Sequence, residues 1–369
     1  MTSLTNLRGV DVSDILRQLP DIEPLNTNPA NEREDVLFMT ALGFEERCTW
    51  IAELLSEGSK YKATWGVYFE FSTNQNDNLI NRSRLTKAIN SFAMHVQSMP
   101  CDSAEFPTQL RRFISDISAQ IELRGVTFDI SACSSKLLVT ALSVLLEYDL
   151  ELRLVYSEAG LYHPTKDEYF SDPKKWTTDE GLGIARGVSS VTPSPDHPGN
   201  RRDLLPEAII VFPTFKPERA RAIIASIDPS LILRPSDRVT WLLGEPHLKT
   251  DEWRMNAQKT INKIPTSAKT YVVSTFNYKK SIEFLERIYE HLDYRYHVNI
   301  APLGSKMQSV GVVLFWYIRR DVSIVFASPR EYNAAQYSEG CKAVWCIEFM
   351  DLAKIRRLLD TVGELRTAE

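Results

Sequence analysis

The sequence predicts an α/β protein made of two tandem Rossmann-like lobes with mainly parallel sheets and an internal duplication about a pseudo-twofold axis. Apolar, β-branched runs alternate with amphipathic helical patterns along most of the 369 residues, and strands separated by helices pair in parallel through right-handed crossovers. In addition, a shift of 170 positions superimposes Phe128–Tyr162 on Val298–Tyr332 without a gap and matches Lys136 to Lys306. A hydrophobic pattern repeated at a fixed shift indicates a duplication.

The first half of the chain divides into three segments. Residues 1–35 are polar with one short amphipathic stretch, Val12–Leu19, so we expect an N-terminal arm that is an untethered terminus or docks on a partner. Residues 36–160 should form the first lobe, with the strands VLFMTAL, KATWGVYFEF, VTFDISA and LELRLVYS and a short strand near Val96–Met99. Residues 161–207 carry prolines and charges throughout and should be a linker or insertion.

The second lobe, residues 208–369, should repeat the plan of the first. Its strand-like runs are AIIVFPTF, VTWLLGE, TYVVSTF, YHVNIAPLG, VSIVFAS and AVWCIEF, and Asp351–Leu365 should be a closing helix. A second sequence match supports the duplication, because Glu46-Arg47 aligns with Glu218-Arg219 when the two lobes are compared. The shift between these two dipeptides differs slightly from 170 positions, as loop insertions between duplicated lobes would require.

Composition narrows the class of protein. A net charge of −5 and a pI near 5.8 argue against a dedicated binder of duplex nucleic acid. No apolar run is long enough to span a bilayer and the N-terminus lacks a secretory hydrophobic core, so we expect a cytoplasmic protein without a membrane partner. The five cysteines include no CxxC pair and have apolar neighbours, which fits reduced, mostly buried thiols. We expect no metal and no cofactor.

A Ser-Lys pair opens a helix after a buried strand at two places, Ser135-Lys136 and Ser305-Lys306. The first N–H groups of a helix lack backbone partners, and these donors, the helix dipole and a lysine in the first turn favour an anion. Two such sites about a pseudo-twofold axis suit a ligand with repeated phosphates. The alternative is that Ser135 and Ser305 only cap their helices and that both lysines are solvated.

Residues just beyond the carboxyl ends of parallel strands are the candidates for ligand binding, because open α/β sheets bind ligands there. Arg47 and Lys136 could bind phosphate, while acids at the strand ends could recognise a base or ribose hydroxyls. The alternative for each acid is a surface cap or a local salt bridge. Lys216 and Arg219 also lie at strand ends but are not part of the predicted set. The predicted ligand-binding residues are Gly43, Phe44, Glu45, Arg47, Asp129, Ser131, Ser134, Ser135, Lys136, Glu158, Gly304, Ser305, Lys306 and Gln308.

Motifs of the common enzyme classes are absent from the sequence. There is no GxSxG elbow, P-loop lysine motif, HExxH or Cys–His nucleophile signature, and the six histidines are dispersed. His163 and His247 follow strand ends and could act as bases, although solvated loop histidines are the alternative. We therefore predict no catalytic residues and leave open whether the protein is an enzyme.

Two lobes of this kind resemble a known group of sensors. The unit of strand, Asp-x-Ser, Ser-Lys and helix followed by VYSEA resembles the ligand-binding unit of CARF domains, which are Rossmann-like sensors of cyclic oligoadenylates in CRISPR systems. Two such lobes in one chain resemble the SAVED arrangement of prokaryotic anti-phage signalling. LGFEERC, DISACSSK and APLGSKMQSVG also resemble segments of uncharacterised bacterial defence-associated proteins. The resemblance implies a pocket for a nucleotide or cyclic oligonucleotide around Ser134, Lys136, Ser305 and Lys306.

Three functional classes therefore stay open. The first is a nucleotide-sensing or regulatory subunit of an anti-phage defence system. No nuclease, protease or TIR-like segment is recognisable in the sequence, so the partner of such a sensor would be a separate effector protein. The second is a hydrolase or transferase acting on a nucleotide-like substrate through acids at the strand ends. The third is a structural scaffold subunit of a multiprotein complex. We favour the sensor.

Overall fold

In the computed structural model, the residues described are 12–25, 33–58, 60–173, 176, 187–200, 205–233, 236–334 and 337–367. They form an α/β protein with one seven-stranded and one six-stranded sheet, both mainly parallel, and a two-stranded ribbon. The predicted fold class is therefore confirmed.

The strands of the described residues, in chain order, are β1 Glu23–Pro24, β2 Glu34–Leu42, β3 Lys62–Glu70, β4 Ala93–Pro100, β5 Gly125–Asp129, β6 Glu151–Glu158, β7 Leu161–Tyr162, β8 Val188–Pro198, β9 Glu207–Val211, β10 Val239–Glu245, β11 Lys269–Ser274, β12 His297–Ala301, β13 Ser323–Pro329, β14 Ser338–Glu339 and β15 Ala343–Phe349. The α-helices are α1 Val12–Gln18, α2 Arg47–Gly58, α3 Gln75–Phe92, α4 Phe106–Ser118, α5 Ser135–Leu145, α6 Lys166–Ser171, α7 Pro217–Ile227, α8 Ser230–Leu233, α9 Trp253–Ile261, α10 Tyr278–Leu292, α11 Lys306–Ile318 and α12 Leu352–Thr367. A 3₁₀ turn covers Lys249–Asp251.

The two sheets have the same plan. Five parallel strands lie in the order β4-β3-β2-β5-β6 in the first sheet and β11-β10-β9-β12-β13 in the second. VTFDISA contributes β5 and YHVNIA contributes β12, and these strands occupy equivalent places in their sheets. Both strands are buried along their whole length, as expected for the centre of a sheet covered on both faces. The internal duplication is thus visible in the topology.

Each half of the chain contributes one antiparallel strand to the sheet of the other half. β15 follows the strands of the second sheet in the chain but pairs antiparallel with β6, and β8 follows those of the first sheet but pairs antiparallel with β13. The segment expected to be a linker or insertion, 161–207, supplies a strand to the second sheet. AVWCIEF, expected in the second lobe, lies in the first sheet. Patterning identifies a strand, but the choice of its partner depends on distant residues.

The N-terminal arm does not behave as an untethered terminus between residues 12 and 25. Val12, Ile15 and Leu19 are buried in the main core, and β1 pairs antiparallel with β15. Tyr278 Oη donates a hydrogen bond to the carbonyl of Pro20. The expectation of a free arm is therefore wrong for this stretch, and residues 1–11 and 26–32 lie outside the described residues. The first parallel strand begins at Glu34 rather than at residue 36.

One apolar core joins the two lobes. α5 and α11 contact each other, and their buried side chains belong to the same cluster. Both helices are buried on nearly all sides, which explains why their sequences are apolar without a polar face. Tyr317 Oη of α11 donates to the Ser143 carbonyl of α5 at 3.2 Å. The five cysteines are unpaired and four of them are buried, as predicted.

Candidate functional site

A cavity of about 530 Å³ lies at the carboxyl ends of the parallel strands and is lined by both lobes. Its wall comes from the segments that follow the parallel strands of both sheets, β2 to β6 in the first and β9 to β13 in the second. This volume is in the range of pockets for small molecules, roughly 300–1,000 Å³. The site predicted from the strand ends is therefore a real cavity in the fold.

The structure brings nearly all predicted ligand-binding residues to this cavity, and only Asp129 and Ser131 do not line it. The residues that do are Gly43, Phe44, Glu45, Arg47, Ser134, Ser135, Lys136, Glu158, Gly304, Ser305, Lys306 and Gln308.

Asp129 and Ser131 are buried and tie the end of β5 to its neighbours. The Asp129 carboxylate accepts hydrogen bonds from Thr40 Oγ1 at 3.1 Å and from the Ser131 amide at 2.9 Å. Ser131 Oγ also donates to Asp129 and accepts from the Ser157 amide at 2.8 Å. Burial raises the pKa of Asp129 to about 6 in spite of these donors. These contacts fasten β5 to β2 and β6, so the two side chains shape the site from behind its wall.

The two Ser-Lys helix starts differ by one residue. Ser134 caps α5 by accepting from the Leu137 amide at 3.1 Å, whereas Ser305 caps α11 by accepting from the Gln308 amide at 3.1 Å. Lys136 is therefore the second residue of its helix and Lys306 is the first. One residue turns a side chain by about 100° around the helix axis. The gapless register of 170 positions thus matches the motifs but not their caps.

The capping box at α11 requires a glycine before it. Gln308 Oε1 accepts from the Ser305 amide at 2.9 Å and so completes the box. A Cβ at Gly304 would meet Gln308 Oε1 at 2.0 Å. A side chain at this position would displace Gln308, and this accounts for the glycine at position 304.

Glu45 and Arg47 form a buried ion pair in the first-lobe wall. The Arg47 guanidinium donates to Glu45 Oε1 through Nε at 3.0 Å and Nη2 at 2.8 Å. Arg47 Nη1 also donates to the Ser157 carbonyl at 3.3 Å, and Ser338 Oγ donates to Glu45. Burial opposes the charge of Arg47, but Glu45 and Tyr162 hold its pKa well above the ordinary value. The positive charge of Arg47 is therefore compensated inside the protein.

Three basic side chains of the second lobe lie in the same cavity. Arg219 Nε donates to the Ala327 carbonyl at 3.0 Å, and within the described part of the chain Lys216, Arg219 and Lys306 form no ion pair. Lys216 is only 7% exposed, and burial together with Arg219 lowers its pKa well below the usual value. Burial and the charge of Arg47 lower the pKa of Lys306 to about 8. Lys216 and Arg219 are candidates at strand ends in the sequence but are not included in the predicted ligand-binding set, although the match of Glu46-Arg47 to Glu218-Arg219 points to Arg219.

Aromatic rings surround the basic cluster. Lys216 Nζ lies 4.2 Å from the ring centroid of Tyr337 and 4.5 Å from that of Tyr332. Phe44 packs against the same two rings at centroid distances of 5.5 and 6.0 Å. Such contacts stabilise a cation without neutralising it. The rings also line the cavity, where flat apolar faces can stack on a planar group.

Carboxylates also line the cavity. Glu158, at the end of β6, accepts from Trp345 Nε1 at 3.3 Å and lies 3.4 Å from His247 Nε2. The His247 ring packs on Phe276 with a centroid distance of 4.7 Å. Asp102, which follows β4, accepts from the amide and hydroxyl of Ser72. These carboxylates can accept hydrogen bonds from a neutral polar group.

His163, the other predicted candidate base, is already engaged. Its ring nitrogens lie 2.9 Å from Glu168 and 3.0 Å from Glu339. Although burial opposes the imidazolium, these two carboxylates raise the pKa of His163 above the ordinary value. Because carboxylates engage both ring nitrogens, neither nitrogen is placed to take a proton from a ligand.

Among the described residues, no group of three or more His, Cys, Asp and Glu side chains could hold a metal ion. In the same part of the chain, no helix is both long and apolar enough to cross a membrane.

Comparison with known proteins gives little information about this site. No family model and no curated protein matches the chain. Among solved structures, the chain is similar to the cytoplasmic domain of a prokaryotic cation chloride cotransporter, with 9% sequence identity and a TM-score of 0.23. That alignment covers 82% of this chain and 99% of the other. At this TM-score the similarity carries no argument about fold or function.

Proposed function

We propose that this protein is a nucleotide-sensing or regulatory subunit that binds a phosphorylated nucleotide between its two lobes and acts through a separate effector. The observation that carries the proposal is that Lys216, Arg219 and Lys306 line the same cavity and form no ion pair within the described residues, although Glu45 lies near enough to both lysines to favour their charged form. Cations held in a partly dry site attract phosphate strongly because water screens them poorly.

Two further features support a nucleotide rather than a simple anion. Tyr332 and Tyr337 line the cavity beside the cations and can stack on a base. Glu158 and Asp102 also line the cavity and can accept hydrogen bonds from amino or hydroxyl groups. The place in anti-phage defence rests on three resemblances. The strand, Asp-x-Ser, Ser-Lys and helix unit followed by VYSEA resembles CARF domains, and the two lobes in one chain resemble the SAVED arrangement. LGFEERC, DISACSSK and APLGSKMQSVG resemble segments of defence-associated proteins.

The first test is to identify what the protein carries. Mass spectrometry of small molecules released from denatured, purified protein should detect a phosphorylated nucleotide. A panel of linear and cyclic nucleotides should then raise the melting temperature, and a ligand at a hundred times its Kd should add about 2.7 kcal/mol of stability. The ligand should be recovered unchanged after incubation. If no member of the panel shifts the melting temperature, the scaffold is the better assignment.

A second candidate function follows from the pair of Glu158 and His247. A carboxylate beside an imidazole can orient it as a general base, and both side chains line the cavity. A hydrolase or transferase would convert a nucleotide in chromatographic assays, and His247→Asn would abolish the turnover while binding persisted. Recovery of intact ligand from both the wild type and His247→Asn would exclude this candidate.

A further inference from the structure

The charges that line the cavity are distributed unequally between the lobes. Residues of the first lobe contribute Arg47 and Lys136 against the carboxylates of Glu45, Asp102 and Glu158. Among the described residues, the second lobe contributes Lys216, Arg219, Arg254 and Lys306 against the carboxylate of Asp251. The pseudo-symmetric fold therefore lines its cavity with an excess of positive charge from the second lobe and an excess of negative charge from the first.

The two arginines at the helix starts show how this difference arises. Arg47 and Arg219 each donate to a backbone carbonyl of the fifth parallel strand, on β6 and β13 respectively. Glu45 stands two residues before Arg47 and neutralises it, whereas the equivalent position before Arg219 is Pro217, which carries no charge. Within the described residues, no hydrogen bond or ion pair uses the other N–H groups of Arg219, while those of Arg47 are already used.

Of the two lysines at the Ser-Lys motifs, the one in the second lobe is again better placed to bind an anion. Lys306 is the first residue of α11 and shares the cavity with Lys216 and Arg219. Lys136 is the second residue of α5, so it is turned around the helix axis, and no second basic residue with an uncompensated charge accompanies it in the first-lobe wall. Lys216 is the residue that points most directly to an anionic ligand. It is buried, lines the cavity and forms no ion pair in the described residues.

We propose that the cavity has a single phosphate subsite, formed by Lys216, Arg219 and Lys306, and that its ligand is a nucleotide with one phosphate-bearing end rather than a twofold-symmetric cyclic oligonucleotide. This inference rests on the proposed function and deepens it. A symmetric ligand would need an equivalent second subsite, but the first lobe offers only Lys136 beside the compensated pair of Arg47 and Glu45. Asp102 and Glu158 of the same lobe would repel a second phosphate. The neutral end of an asymmetric ligand instead meets these acceptors and the tyrosine rings.

The test compares three probes on the full chain by isothermal titration calorimetry. Inorganic pyrophosphate reports the phosphate subsite alone, adenosine triphosphate an asymmetric nucleotide, and cyclic diadenylate a symmetric one. Lys306→Met and Arg219→Gln should each weaken pyrophosphate and adenosine triphosphate by about tenfold or more, the usual order for a charge-assisted contact. Lys136→Met should weaken them by a clearly smaller factor. Lys87→Met, on an exposed part of α3, controls for the change in net charge.

Glu45→Gln is the converse variant, because it keeps the shape of the side chain and removes its charge. It should strengthen pyrophosphate binding by freeing the charge of Arg47. Circular dichroism of each variant checks that it folds.

The outcomes separate the inference from the function on which it rests. If cyclic diadenylate binds and depends equally on Lys136 and Lys306, the single subsite is refuted while nucleotide binding stands. If pyrophosphate binds with the predicted dependence but no nucleotide does, the subsite stands and the nucleotide function is refuted. If none of the three probes binds to the wild-type protein, both are refuted.

Discussion

Arg47 in the first lobe and Arg219 in the second lie in the first turn of the helix that follows the first parallel strand of each sheet. Both donate to a carbonyl of the fifth strand, but Arg47 is buried against Glu45, whereas Arg219 has no carboxylate partner in the described residues. The same backbone arrangement thus gives a structural arginine in one lobe and a ligand-binding candidate in the other. The comparison teaches that a duplicated fold preserves positions, while single substitutions decide their chemistry.

The largest expected effect tests what the two lobes share, the exchange of their outer strands. A chain that ends at residue 342 lacks β15 and α12 and should not fold cooperatively. It loses the buried side chains of Ile347, Phe349 and Leu352, each of which contributes about 2–5 kcal/mol, against a total stability of about 5–15 kcal/mol. Urea unfolding followed by circular dichroism measures this. A cooperative transition like that of the full chain would show that the exchanged strand is dispensable.

The next effect compares the two arginines directly. Arg47→Met should lower the free energy of unfolding by about 3–5 kcal/mol, because it leaves Glu45 buried without its partner. Arg219→Met should lower it by only about 1 kcal/mol, the value of one hydrogen bond to a carbonyl. Chemical unfolding of both variants at pH 7 measures the difference. Equal losses would mean that Arg219 is as structural as Arg47.

The pH dependence of anion binding should also come from the second lobe. Lys306, with a pKa of about 8, is charged at pH 7 and loses its proton above pH 8. Affinity for adenosine triphosphate should therefore fall above pH 8 by up to about tenfold per unit, or about 1.4 kcal/mol. The ligand's own charge is constant there, because the second pKa of a phosphate monoester is about 6. Lys306→Arg should remove this fall, and its persistence in that variant would assign it to Lys216 or another group.

Without ligand, the same pKa predicts the opposite trend in stability. The folded-state pKa of Lys306 lies below that of an unfolded lysine, about 10.4. Between these values the unfolded chain binds more protons, so the contribution of Lys306 to stability rises with pH from about 8 to 10.4. Comparing wild type with Lys306→Met over this range isolates the contribution, and parallel curves would contradict the assignment.

The smallest expected effect distinguishes the two helix caps. Ser305→Ala should cost about 1–2 kcal/mol, because it removes both the cap of α11 and the hydrogen bond to the Thr275 carbonyl. Ser134→Ala should cost about 1 kcal/mol, since Ser134 caps α5 with one hydrogen bond. Ser135→Ala is the control, because Ser134 rather than Ser135 caps α5. A larger loss of stability for Ser135→Ala than for Ser134→Ala would mean that Ser135 is the cap, as the alignment of Ser135 with Ser305 implies.

The sequence by itself determined the alternation of strands and helices, the duplicated βαβ pattern and most of the residues that line the cavity. These follow from local rules. A buried parallel strand must be apolar, a helix must be capped, and the strand ends of an open sheet must meet at one edge. Gly43, Phe44, Glu45, Gly304, Ser305 and Lys306 were therefore found from short motifs alone, although the role of each as a ligand contact stays a prediction.

Only the tertiary structure decided which strands exchange between the sheets and which charges are compensated. The pairing of β15 with β6 and of β8 with β13 joins residues far apart in the chain, and no local pattern specifies it. Asp129 and Ser131 look like site residues in the motif, yet their hydrogen bonds turn them behind the wall. The sequence places Lys216 at a strand end, but only the fold packs it against Tyr332 and Tyr337 and buries it. Burial and charge balance depend on every neighbour in space, and the sequence lists neighbours only along the chain.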